Sequence, residues 1–177
     1  MTLQHIAAAL ERAESVLRRR PDMAVHEDVP ATARWQGGLG CVSHHPNGTT
    51  IATDVAREIG GSGENVSPGW LMRAGIASCA ASSLVMRAAA AGIELTSLEV
   101  VVRSHSDTRG LLGMPGDDGA AIGAGPREIE LVFRVAARDA SKERLEALVA
   151  ESQRCAPVPS AVLNGVPARV SVEIEAA

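Results

Sequence analysis

The chain has 177 residues, 46% hydrophobic and 21% charged, with a net charge of −4. That composition suits one globular domain with a sizeable core and excludes a disordered chain. Aromatics are only 2% and Tyr is absent, which argues against stacking platforms for single-stranded nucleic acid, and the negative charge argues against a phosphate-backbone binder.

Leu3, Ile6, Leu10, Ala13 and Leu17 recur at helical spacing, so residues 2 to 20 are expected to form an amphipathic helix that Pro21 stops. Its apolar stripe needs cover, so the helix is expected to pack across a dimer. Residues 21 to 30 hold two prolines without a period and read as a linker. Three short strand candidates follow, residues 31–37, 39–44 and 49–55, with Asn47-Gly48 in the turn between the last two. The loop G-G-S-G-E-N-V-S (60–67) is not a phosphate-binding fingerprint, because its glycine spacing is wrong and no parallel βαβ pattern surrounds it.

Residues 67 to 92 read as one long helix, about 36 Å at 1.5 Å per residue. Ser67 suits the N-cap, Pro68 the first helical position and Gly92 the residue past the end. Its only charges are Arg73 and Arg87. A helix so apolar around its circumference is expected to be buried, with the domain wrapped around it. Near its middle sits Cys79.

Leu98 to Asp107 alternate as a strand, and residues 108–126 form a long Gly-rich loop. Asp117 and Asp118 lie in that loop, but two adjacent acids are a weak metal signal. Ile129 to Val135 alternate clearly. Ser141 caps a helix with Leu145, Leu148, Val149 and Ser152 on its inner face, leading to Cys155, where Pro157 and Pro159 break the pattern. Ser160 to Asn164 fit one short turn. Val166, Ala168, Val170, Val172 and Ile174 alternate with Arg169, Ser171, Glu173 and Glu175 in the cleanest strand pattern of the chain. Helices between groups of hairpin-linked strands point to an α+β fold with antiparallel sheets.

Three cysteines are an odd number and do not make a secreted disulfide framework. No apolar run reaches the roughly 18 residues that cross a bilayer, and the N-terminus lacks a leader pattern, so a cytoplasmic location is expected. Cys41 adjoins His44 and His45 on a strand, where neighbouring side chains face opposite ways, so packing is expected there rather than a metal site. Ser78, Ser82 and Ser83 lie mid-helix without a strained G-x-S-x-G turn, which argues against a serine hydrolase. A lone Cys in an Ala/Ser-rich helix is ordinarily a small packing residue.

Three blocks carry a resemblance to the OsmC/Ohr family: A-R-W-Q-G-G-L-G entering the strand meander, S-P-G-W-L-M-R-A-G-I-A-S-C-A-A-S-S-L in the long helix, and R-C-A-P-V-P-S-A-V-L-N-G-V-P-A-R-V-S-V-E-I at the end. The resemblance covers about residues 31–176. It implies an OsmC-like domain at 31–177, to which a helix and linker at 1–30 are appended. The implied fold is an intertwined homodimer, with antiparallel sheets around two long central helices. The implied activity is thiol-dependent reduction of hydroperoxides, organic ones in particular, with an external dithiol reductant and no metal or cofactor. Partners are then a second copy, a small hydroperoxide and a dithiol, with no nucleic acid or membrane.

By matching positions, Cys79 is the peroxide-attacking cysteine and Cys155 the resolving one. Only a thiolate attacks an O–O bond efficiently, and free cysteine titrates near pH 8.5. A mid-helix Cys gets little help from its own helix N-terminus, so a cation is expected nearby. Arg57, in V-A-R-E-I-G-G, matches the family arginine, with Arg34 and Arg73 as weaker substitutes. The family carries a Glu directly after the Pro of the central helix, where it orients the arginine. This chain has Gly69 there, and Glu64 from the preceding loop is the candidate replacement. The alternative implied by Gly69 is a non-catalytic protein of the same fold that binds a small apolar ligand in the dimer cleft.

Overall fold

The computed structural model describes residues 2–174. Helix α1 (Leu3–Arg19) is capped by the Thr2 side chain, which accepts from the His5 N–H. The meander that follows is β1 (Thr32–Trp35), β2 (Cys41–His44) and β3 (Thr50–Thr53), an antiparallel sheet in that order. The β2–β3 turn has one positive φ, at Gly48 (92°), rather than the two of a tight Asn-Gly turn. Asn47 instead uses its side-chain oxygen to accept the Thr49 N–H at 2.9 Å.

Helix α2 (Pro68–Ala90) begins where the sequence places it. The Ser67 hydroxyl accepts the Trp70 N–H, Pro68 opens the helix, and Gly92 follows at φ 65°. A long hairpin of β4 (Leu95–His105) and β5 (Glu128–Ala137) comes next, joined through the Gly-rich loop that holds the short helix α3 (Thr108–Leu111). Helix α4 (Lys142–Arg154) starts at the Ser141 cap, and α5 (Pro157–Asn164) follows at once.

The core lies between α2, α4 and the β4–β5 hairpin. Leu84, Ala88, Ile93 and Leu148 are buried at its centre, with Leu95, Leu98, Phe133, Val135, Leu145 and Val149 packed around them. The helical period of α4 delivers Leu148 and Ser152 to this core as the sequence predicts. The first half of α1 lies on α2, and its second half is exposed.

Two expectations are corrected. Helix α2 is not buried all round: Ile76, Ala80, Ser83, Leu84 and Ala88 form one buried stripe, whereas Gly75, Ser78, Ser82 and Met86 on another face are exposed. Its apolar circumference exceeds what a single chain can cover. The C-terminal pattern does not form a strand within this chain. Residues 165–174 are neither helix nor strand, and Val170 and Ile174 are 88% and 92% exposed. The alternation is real, but no strand among the described residues pairs with it, and an unpaired strand leaves its backbone groups to water. Glu175, the last residue of that expected strand, lies outside the described residues.

The meander also stands apart from the core. Every residue of β1 is exposed, and only Thr53 is buried in β3. Among the described residues, no helix is long and apolar enough to cross a membrane.

Candidate active site

Cys79 is half-buried, on α2 one residue before buried Ala80. Its sulfur accepts the backbone N–H of Val158 at 3.4 Å. The reason lies in the first turn of α5. A helix begins with N–H groups that have no intrahelical partner. Pro157 and Pro159 have no N–H to satisfy, and the Ser160 N–H bonds the Ala156 carbonyl at 3.0 Å. That leaves Val158, and the N-cap residue Ala156 has no side-chain acceptor to offer it. The Cys79 sulfur takes the place of the missing cap. It therefore faces an N–H donor and the positive end of the α5 dipole.

Cys155 is the C-cap residue of α4 and is exposed. Val158 is three residues further along the chain, a span of at most about 11 Å. Thus Cys79 and the corner that carries Cys155 meet where α2, α4 and α5 converge. Both thiols are free, as is that of Cys41, which lies half-buried in β2 opposite Trp35 and Thr53.

Arg57 sits in the loop between β3 and α2. Its Nε–H donates to the Ser62 carbonyl at 2.6 Å, and its aliphatic stem lies over Gly63. It shares a cavity of about 380 Å³ with Asp54, Glu58, Asn65 and Ser67. Ser67 precedes Cys79 by twelve helical residues, about 18 Å of helix axis. Within one chain, Arg57 bonds its own loop. Glu64 is exposed and contributes only its backbone N–H, to the Ser62 hydroxyl at 3.1 Å. Among the described residues, no ion pair joins Glu64 to Arg57.

The position without its acid has a different neighbour. A Cβ added at Gly69 would lie 3.8 Å from a terminal nitrogen of Arg73, and that guanidinium donates to the Ser104 hydroxyl on β4 at 3.1 Å. Arg34 lies on the exposed strand β1. Sequence reasoning missed two groups here, the Val158 N–H and the buried carboxylate of Asp54. Asp54 is 5% exposed, and its carboxylate accepts from the N–H groups of Val55 and Ser62 and from the Ser62 hydroxyl. Those donors hold it below the usual carboxylate range, the Ser62 hydroxyl foremost. Among the described residues, no cluster of His, Cys, Asp and Glu could hold a metal ion.

The model of the OsmC-like protein family matches residues 61–171, well over half of the chain, from the middle of the β3–α2 loop, just past Arg57, through α5. The chain belongs to the OsmC-like family. Solved structures similar to this OsmC-like chain include an OsmC-like protein from Mycoplasma pneumoniae, with a TM-score of 0.65 at 18% identity over 80% of this chain and 91% of that one. An organic hydroperoxide resistance protein OsmC from Legionella pneumophila gives 0.57 at 21% identity over 78% and 90%. The organic hydroperoxide resistance protein OhrB of Bacillus subtilis gives 0.52 at 21% identity over 78% and 93%. No curated protein matches the chain. At such identities, the likeness establishes the fold.

Proposed function

We propose that this OsmC-like protein is a homodimeric thiol peroxidase that reduces organic hydroperoxides in a reducing, cytoplasmic setting. The observation that carries the reading is the Val158 N–H held on the Cys79 sulfur beside the Cys155 corner. The Cys79 thiolate attacks the terminal oxygen of the hydroperoxide. The O–O bond breaks, the alkoxide leaves and takes a proton to become an alcohol, and Cys79 becomes a sulfenic acid. The Cys155 thiolate then attacks that sulfur and forms the Cys79–Cys155 disulfide, while hydroxide leaves and is protonated to water. An external dithiol returns both residues to thiols and is itself oxidised.

The second copy supplies what one chain lacks. Arg57 bonds only its own loop, the Ser78–Ser82 face of α2 is bare, and residues 166–174 carry a strand pattern without a strand beside them. In an intertwined pair, the two α2 helices pack through that small-residue face. The Arg57 of one copy then approaches the Cys79 of the other.

The test is consumption of cumene hydroperoxide with a dithiol reductant. Turnover that disappears in Cys79→Ser, with a Cys79–Cys155 disulfide found by mass spectrometry after one equivalent of peroxide, supports the reading. Absence of turnover with organic and inorganic peroxides, or turnover undiminished in Cys79→Ser, refutes it. One observation favours the non-catalytic ligand-binding alternative: Arg73 beside Gly69 is bonded to Ser104 and not to a carboxylate. Slow alkylation of Cys79 at neutral pH, together with absent turnover, would select that alternative.

A further inference from the structure

We propose that Asp54 is the positioning acid of this site and that it aims the Arg57 guanidinium through Ser62. The inference rests on the reading that Arg57 serves the Cys79 sulfur. Its ground is a continuous set of hydrogen bonds. The Asp54 carboxylate accepts the Ser62 N–H at 2.8 Å and the Ser62 hydroxyl, and its other oxygen accepts the Val55 N–H at 2.7 Å. Ser62 is thereby fixed from its amide and its side chain together. Its carbonyl, the one group left, accepts the Arg57 Nε–H at 2.6 Å. Gly61, just before Ser62, approaches Val55 so closely that an added Cβ would lie 2.0 Å from the Val55 carbonyl oxygen. The loop has little room to slide.

The arrangement differs chemically from a direct acid–arginine pair. A guanidinium has five N–H donors. Only the Nε–H is spent on the loop. Among the described residues, neither terminal nitrogen of Arg57 has a hydrogen-bond or ion-pair partner. The carboxylate that fixes the loop is buried and occupied by three donors, so it does not neutralise the guanidinium it directs. Arg57 keeps its remaining donors for an oxygen of the peroxide or a thiolate. A Glu following Pro68 would place its charge on α2, beside Arg73. Asp54 sets Arg57 from within the loop, and the glycine at 69 needs no substitute on the helix.

Two measurements on the full-length protein test this. The first is hydrogen exchange of the Arg57 Nε–H, followed by NMR and assigned with Arg57→Lys. The Nε–H is protected in the wild type and in Ser62→Thr, which keeps the hydroxyl, and it loses protection in Asp54→Asn and in Ser62→Ala. The second is the single-turnover rate of Cys79 with cumene hydroperoxide. Asp54→Asn lowers it about tenfold, one hydrogen bond's worth of positioning. In the Arg57→Ala background, the same substitution lowers it no further, whereas a loss of general stability would slow both backgrounds alike. Unchanged Nε–H protection in Asp54→Asn, or equal slowing in both backgrounds, overturns the proposal. If the wild type has no peroxide turnover, the functional reading fails, and the exchange measurement alone decides whether Asp54 positions Arg57. If Asp54→Asn does not fold, Ser62→Ala gives both readouts.

Discussion

Replacing Met86 by Glu should split the protein into monomers. A compact monomer of 18.3 kDa exposes about 8,100 Å². This chain exposes 12980 Å², an excess of roughly 4,900 Å² over that scaling. If each of two copies buried half of the excess, the total interface would be about 4,900 Å², within the range of obligate dimers. Met86 is 40% exposed and lies on the bare face of α2 with Ser78 and Ser82. Both copies carry the substitution, so two carboxylates sealed there without a partner cost about 6–10 kcal/mol, which weakens dimerisation more than about ten-thousandfold. Sedimentation velocity over a dilution series reads this directly. Wild-type protein should sediment at twice the 18.3 kDa chain mass into the nanomolar range, and Met86→Glu should dissociate at micromolar concentration. A wild-type protein that sediments as a single chain at micromolar concentration would refute the pairing, and an unaffected Met86→Glu dimer would place its interface elsewhere.

Three further outcomes follow from packing and charge. Leu84 is fully buried against Ile93 and Leu148, so Leu84→Ala should cost about 2–5 kcal/mol in chemical denaturation at fixed protein concentration; a loss under about 1 kcal/mol would contradict the core described above. Gly61→Ala forces the loop off the Val55 carbonyl and should cost about 1–3 kcal/mol, with faster amide exchange at Ser62; unchanged exchange there would show that the loop absorbs the methyl. Asp107 accepts from Arg109 and Arg127, and its carboxyl is lowered from 3.8 to about 2, chiefly by the Arg109 side-chain hydrogen bond. A lowered carboxylate stabilises the fold above its unfolded value and loses that contribution as the pH falls toward its folded one. Asp107→Asn should therefore be less stable than wild type at neutral pH, and the two should converge between about pH 4 and pH 2. A difference between them that stays constant over that range would exclude the ionised carboxylate as its source.

Most of the secondary structure was legible because its signals are local. Ser67 and Ser141 cap helices where the sequence reading places them, and the alternation around Ile129 makes β5. The misreadings concern what lies beyond the neighbouring residues. The 166–174 alternation would give a strand two unlike faces, but periodicity does not say whether a pairing edge exists in the same chain. The apolar girth of α2 likewise reports the total cover it needs and not who provides it. Pro157 illustrates a different failure. Read as a breaker of α4, it is also a starter of α5, since proline ends one helix and opens another with equal ease. That double role hid the donor on Cys79, although P-V-P leaves a single N–H in the opening turn. Asp54 had no spacing signal at all. Its partner Ser62 is eight residues on, inside a loop whose glycine spacing fits no known fingerprint.

Because the sulfur of Cys79 stands in for a missing cap, α5 and the Cys79 side chain hold a joint account of one hydrogen bond. Whatever modifies that sulfur changes the acceptor that the Val158 N–H meets. Oxidation, alkylation and disulfide formation should then alter how the first turn of α5 is held, in a helix of eight residues that leads directly into the unpaired C-terminal stretch. Limited proteolysis around Asn164 would register the redox history of Cys79 as a change in cleavage, without any measurement on the sulfur itself.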